Sequence, residues 1–166
     1  MFRATAEQIA NSELSRTLQD ALWVVPVSQS IHIIALSVLF ATMLMISLRL
    51  LGVGSAGRSV SQLANSSLPW MWRALVVLLL TGLLQTLIEP VRQFITPIFW
   101  IKMLLVAVLA LLTRWFSSTV RANAAVWDSP ATRPAQARVF AIASIIGWST
   151  VIVFGRFIGY VWAYYL

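Results

Sequence analysis

The chain of 166 residues contains no cysteine and a single histidine, His32. Without thiols there is no disulfide framework, no thiolate-held zinc and no iron–sulfur cluster. One histidine and five carboxylates provide no HExxH pair, no identifiable pair of catalytic acids and no nucleophile–base set, so the chain reads as a non-enzyme. Charge is scarce altogether, at 10% of positions, against 60% hydrophobic residues and a mean hydropathy of +0.85. A water-soluble domain of this length cannot hide so much apolar surface, so residues 1–166 read as one compact integral membrane domain. The net charge of +7 does not indicate nucleic acid, because the twelve basic residues are scattered with no basic stripe. Nor is there a phosphate-cradling glycine loop, since Gly52-Val53-Gly54 only closes an apolar run. A cleavable leader is not expected, because Glu7, Glu13 and Asp20 occupy the stretch that would have to be apolar.

Four apolar runs, 28–51, 69–88, 97–115 and 139–164, are long enough to cross a bilayer, which takes roughly 20 helical residues for about 30 Å of hydrocarbon. Pro69 suits a first helical turn, and Thr96-Pro97 is a cap followed by the same kind of start. The short turn from Glu89 to Thr96 predicts an antiparallel hairpin of the second and third spans. Residues 6–22 predict an amphipathic helix lying at the interface, with Leu14, Leu18, Ala21 and Leu22 at helical spacing and Arg16, Gln19 and Asp20 between them. The stretch from Ser117 to Ala137 reads as an extension of the third span followed by a capped turn at Asp128-Ser129-Pro130. The predicted fold is therefore all-α, an integral membrane four-helix bundle with an N-terminal interfacial helix.

Orientation follows the distribution of Lys and Arg. Arg49, Arg58, Arg73, Arg114, Arg121, Arg133 and Arg138 fall on one side. Arg3, Arg16, Arg92, Lys102 and Arg156 fall on the other, together with both termini and the hairpin. The richer side is assigned to the cytoplasm, which puts both termini outside it. Trp70, Trp72, Trp115 and Trp127 then form an inner belt, and Trp23, Trp100, Tyr160, Trp162, Tyr164 and Tyr165 an outer one. Trp148 alone falls near mid-span, where its indole N–H needs an internal acceptor.

This topology brings polar residues of all four spans to one outer level. His32 and Gln29 share a face of the first span, Gln85 and Glu89 a face of the second. Lys102 and Met103 stand in the third, and Arg156 and Tyr160 in the fourth. Two readings stand side by side. In one, Lys102 and Arg156 snorkel to headgroups, Glu89 pairs with Arg156, and His32 bonds a neighbouring carbonyl. In the other, a ligand is held at that level. Haem b would use His32 as one axial ligand, Met103 or a second copy's His32 as the other, and Arg156 or Lys102 for the propionates. A quinone needs only one His or Tyr donor and an apolar slot. Transport of a small solute or metal is a third option, although Met43 and Met45 point about 200° apart on a helix and cannot chelate one ion.

The fourth span carries Ala143, Gly147, Gly155, Gly159 and Ala163 at multiples of four, a stripe that lets another helix approach closely. Packing inside the bundle and contact with a second copy or a partner subunit are both served by such a stripe.

Gln29-x-x-His32-Ile33, Leu48-Arg49-Leu50-Leu51-Gly52, Trp127-Asp128 and Gly155-Arg156-x-Ile158-Gly159-Tyr160 occur in this order along most of the chain. In these elements the chain resembles a family of small bacterial four-span membrane proteins, a domain of unknown function. Its layout is similar to CopD-like and small cytochrome b-type membrane proteins. The family often carries an acid where Gln29 and Ser47 stand here, and the neutral residues argue against an ion or proton role at those positions. The resemblance implies a multi-pass protein of the bacterial inner membrane, and the Lys and Arg distribution puts both termini on its periplasmic side. The leading expectation is a non-catalytic protein that self-associates or serves as accessory subunit of a membrane complex. A haem- or quinone-binding redox component is the alternative.

Overall fold

The computed structural model describes residues 2–53, 57–131 and 134–161, and every regular element among them is helical. In chain order these are α1 (Phe2–Ala10), α2 (Glu13–Asp20), α3 (Val24–Leu50), α4 (Val60–Ile88), α5 (Pro90–Ile95), α6 (Pro97–Ala122), α7 (Ala124–Asp128) and α8 (Gln136–Val161). Helices α3, α4, α6 and α8 are long and apolar enough to cross a membrane. Arg133, Trp162, Ala163, Tyr164 and Tyr165, named above for topology, aromatic belt or helix packing, lie outside the described residues.

The second span does not start at Pro69. Its helix begins at Val60, behind a reciprocal capping box. The Gln62 N–H donates to Ser59 Oγ and the Ser59 N–H to Gln62 Oε1, each at 3.2 Å. Pro69 falls inside the helix. The carbonyl that loses its donor there is that of Asn65, on the exposed face, where the loss is least costly. The segment before Pro69 is amphipathic rather than apolar: Val60, Leu63, Ala64, Ser67 and Leu68 are buried, while Gln62, Asn65 and Ser66 are exposed.

The N-terminal segment is likewise not one helix. It breaks at Asn11-Ser12, and Ser12 caps α2 by accepting the Ser15 N–H at 3.3 Å. Of the face expected to lie in the interface, Leu14 and Leu22 are exposed, at 59% and 85%, while Leu18 and Ala21 are half-buried. Docking runs through Ala6 and Ser15, which are buried. The Ser15 hydroxyl donates to Leu87 O at 2.7 Å and Gln19 Nε2 to Ile88 O at 2.9 Å. These carbonyls belong to the last turn of α4, where no intrahelical N–H remains for them.

The four long helices are arranged in the order α3, α4, α6, α8 around a square, and the diagonal pairs α3/α6 and α4/α8 do not pack directly. The closest pairing is α3 with α4. The α4/α6 pair, joined by the short turn, touches only sparsely because α5 fills that turn as a helix of its own.

The two ends of the bundle are held differently. Near α7, the buried residues include Ile46, Leu50, Val60, Phe116, Phe140 and Trp127. The Phe116 ring stacks on Phe140 at 4.2 Å and meets Trp127 edge-on at 5.2 Å. Trp127 is therefore no belt residue, since it is 3% exposed. Exposed positions at this end include the polar Gln62, Asn65, Ser118, Arg121 and Gln136 alongside the apolar Val53, Val126 and Val139. Toward α5 the outward positions are aliphatic, among them Ile33, Ile34, Leu80, Leu83 and Leu104. Between the ends Gly147 admits Leu109 so closely that a Cβ would stand 2.6 Å from Leu109 Cδ2. Trp148 is buried as expected near mid-span, but its Nε1 has no acceptor among the described residues.

Candidate functional site

His32 occupies α3 toward the α5 end, half-buried against α4. Its Nδ1 lies 2.7 Å from Thr81 Oγ1. The Thr81 hydroxyl in turn donates to Val77 O at 2.7 Å, the usual back-bond of a helical threonine. A hydroxyl has one proton, and here the Val77 carbonyl takes it. Thr81 Oγ1 therefore accepts from the imidazole Nδ1–H. Nε2 has no hydrogen-bond partner among the described residues. The ring lies over Gly82, where a Cβ would stand 3.7 Å from His32 Cε1.

The other expected members are distributed unevenly. Lys102, half-buried on α6, stands over the Phe99 ring at 5.6 Å. It has no carboxylate partner among the described residues. Gln85 is half-buried on α4, and its Nε2 has no acceptor there. Glu89 pairs with Arg92 one helical turn on, not with Arg156, because Arg92 of α5 is the nearer cation. Gln29 faces outward with no side-chain bond among the described residues. Met103 is on the exposed face of α6, which does not pack directly on α3, so it is not brought to His32 as a second ligand. Arg156 stacks on the Tyr160 ring at 4.9 Å, bonds its hydroxyl, and lies exposed along its own helix away from the His32 group.

The small-residue stripe divides between two environments. Gly147 packs against Leu109 inside the bundle, whereas nothing lies within 4 Å of a Cβ built at Gly155 or Gly159. Ala143 is half-buried. Met43 is buried and Met45 42% exposed, so the two stand on different faces as their spacing requires.

Sequence reasoning missed Thr81, although a signal was present: Thr81-Gly82 is the one break in the aliphatic run from Leu75 to Leu84. It also missed the role of Asp128. That carboxylate receives the Ser61 N–H at 2.8 Å on Oδ1 and the Ser61 hydroxyl at 2.6 Å on Oδ2, closing the first turn of α4 from a remote segment. Partial desolvation opposes its charged form, yet the bonds from Ser61, with Ser59 and the Val60 N–H, hold its carboxyl below the ordinary range.

The model of a family described as a family of unknown function (DUF6644) matches residues 18–161. No curated protein and no solved structure matches the chain.

Proposed function

The chain belongs to this family of unknown function, DUF6644, and we propose that it is a non-catalytic multi-pass membrane protein that associates through α8 with a second copy or with a larger membrane complex. The observation that carries this reading is the open backbone at Gly155 and Gly159. Helix α8 already uses Gly147 for close contact within the bundle, and it repeats the same device on a face its own bundle leaves uncovered. In lipid there is no hydrophobic drive between helices, so close backbone approach is the main source of such association. The arginine-rich α7 end faces the cytoplasm of a bacterial inner membrane in this reading, with the α5 end and both termini periplasmic. Gly155→Ile and Gly159→Ile should leave the monomer fold intact, because the added atoms meet nothing within 4 Å of the first carbon. Each should weaken self-association or partner capture by about tenfold, as expected from ~1–3 kcal/mol of overpacking. The measurement is energy transfer between labelled copies in nanodiscs, with co-purification as the partner readout. A wild-type protein that stays monomeric in mild detergent and lipid, with no co-purifying partner, would overturn the reading.

A second reading rests on the free Nε2 of His32. In the neutral imidazole Nε2 is an acceptor for a hydroxyl proton, and Lys102, without a carboxylate partner among the described residues, is a donor for a carbonyl or phenolate oxygen. A lipid-soluble quinol or quinone has both groups. Binding of a short-chain ubiquinol should weaken about tenfold in His32→Phe and in Lys102→Met, as loss of a ~1.5 kcal/mol hydrogen bond requires. Unchanged affinity in both variants sinks the quinone reading, and a Soret band in the purified protein would replace it with haem.

A further inference from the structure

The α7 end carries Arg49, Arg58, Arg73, Arg114, Arg121 and Arg138 against one described carboxylate, Asp128, which is engaged by Ser61. None of these arginines forms an ion pair among the described residues. Arg73 differs from the rest in its surroundings. Thirteen residues into α4, it is exposed, and its guanidinium lies over the Trp70 ring at 5.0 Å. Beside it a groove of about 330 Å³ runs between α3 and α4, walled by Ile31, Ile34, Val38 and Val77 over Ala35 and Ala74. Apart from Arg73 and the Trp70 indole, every lining residue is aliphatic.

We infer that this groove holds an anionic phospholipid, with its phosphate on Arg73 and one acyl chain along Ile34, Val38 and Val77. The two chemistries lie in the order a lipid presents them. The cation is at the α7 side of the groove, and the apolar wall continues from it toward Ile31, deeper along the helix pair. Trp70 beside the guanidinium is the residue type that prefers the headgroup level. A basic pocket between membrane helices is suited to an anionic headgroup. The surplus of arginine on the rim disfavours the cationic half of a zwitterionic headgroup. A second copy docking on the same face would oppose one arginine-rich rim with another, so the charge pattern selects the lipid over self-contact here. The inference is independent of α8, which lies diagonally opposite α4.

The test is native mass spectrometry of the full chain extracted with phosphatidylglycerol and phosphatidylcholine in competition. The wild type should retain phosphatidylglycerol preferentially. Arg73→Gln should reduce that preference about fivefold, the effect of one cation near an anionic surface. Val38→Trp keeps every charge and fills the groove, and it should also lose the retained lipid. Arg121→Gln, on the same rim but away from the groove, should keep it. Circular dichroism checks that each variant is folded. Equal retention of both lipids by the wild type would overturn the inference, as would equal losses in Arg73→Gln and Arg121→Gln, which would mark a diffuse charge effect. Full retention by Val38→Trp would remove the acyl-chain assignment.

Discussion

Trp127→Ala is expected to destabilise the protein by about 3–5 kcal/mol, the largest effect among the substitutions considered. Trp127 comes from a five-residue helix, α7, that has little stability of its own. Its indole is 3% exposed and meets Phe116 edge-on, and Phe116 in turn stacks on Phe140. One side chain thus ties α7 to α6, whose Phe116 carries the contact on to Phe140 of α8. Removing it leaves a cavity against the fully buried Phe116 ring, and the adjoining capping contact of Asp128 loses its anchor. Denaturant or thermal unfolding in mild detergent, followed by circular dichroism, measures the loss. Trp127→Phe, which keeps an aromatic edge on Phe116, should recover more than half of it. A loss below ~1 kcal/mol for the alanine variant would show that α7 is an ornament on the bundle and not a clamp.

The apolar centres of all four spans were legible in the sequence, because lipid demands long uninterrupted aliphatic runs and little else satisfies that demand. The ends were not. Hydropathy identifies the part of a helix that is apolar on every face, so the amphipathic turns from Val60 to Leu68 carry no such signal and Pro69 marks only where the apolar run begins. The capping box at Ser59 and Gln62 was there to be read, three residues apart ahead of an apolar stripe. Asp128 looked like a local turn former, and nothing in one sequence ties it to Ser61 sixty-seven residues away. At the polar level, His32 stood out by its chemistry. Its partner did not, since a threonine inside a membrane helix ordinarily bonds its own backbone, and Thr81 does that as well. The pairing of Glu89 went to Arg92 because proximity on one turn outweighs a shared depth on different helices.

The two halves of the bundle also differ in how they are held together. At the α7 end, an aromatic core of Phe116, Phe140 and Trp127 holds the helices together. At the α5 end, lipid-facing aliphatic residues gain little by turning inward, and the helices are held by side-chain bonds to carbonyls from α2 and by Thr81 to His32. The unpartnered imidazole nitrogen, Lys102 without a carboxylate and the open glycines of α8 belong to this half, while buried groups without a bond occur at both ends, Ser47 Oγ and Arg49 Nε toward α7 and Gln85 Nε2 toward α5.

Asp128→Ala is expected to cost about 2–3 kcal/mol, since two hydrogen bonds to a charged carboxylate are lost and the Ser61 N–H is left without its acceptor. The carboxylate stands where the first turn of α4 concentrates unpaired N–H groups and the positive end of the helix dipole. Asp128→Asn keeps one acceptor oxygen without the charge and should lose roughly half as much. The charge also sets a pH signature. Because the folded-state carboxyl is held below its ordinary range, its contribution is complete above the unfolded value of about 3.9 and is lost as pH falls through the lower folded value. Asp128 therefore adds no pH dependence between about pH 5 and 8 and a loss of stability in stronger acid. Thermal midpoints of the wild type and Asp128→Asn should converge as the pH is taken below ~3, where the native carboxylate has begun to take up its proton. If the gap between them persists unchanged in acid, the contribution of Asp128 is steric, and the cap on α4 works without its charge.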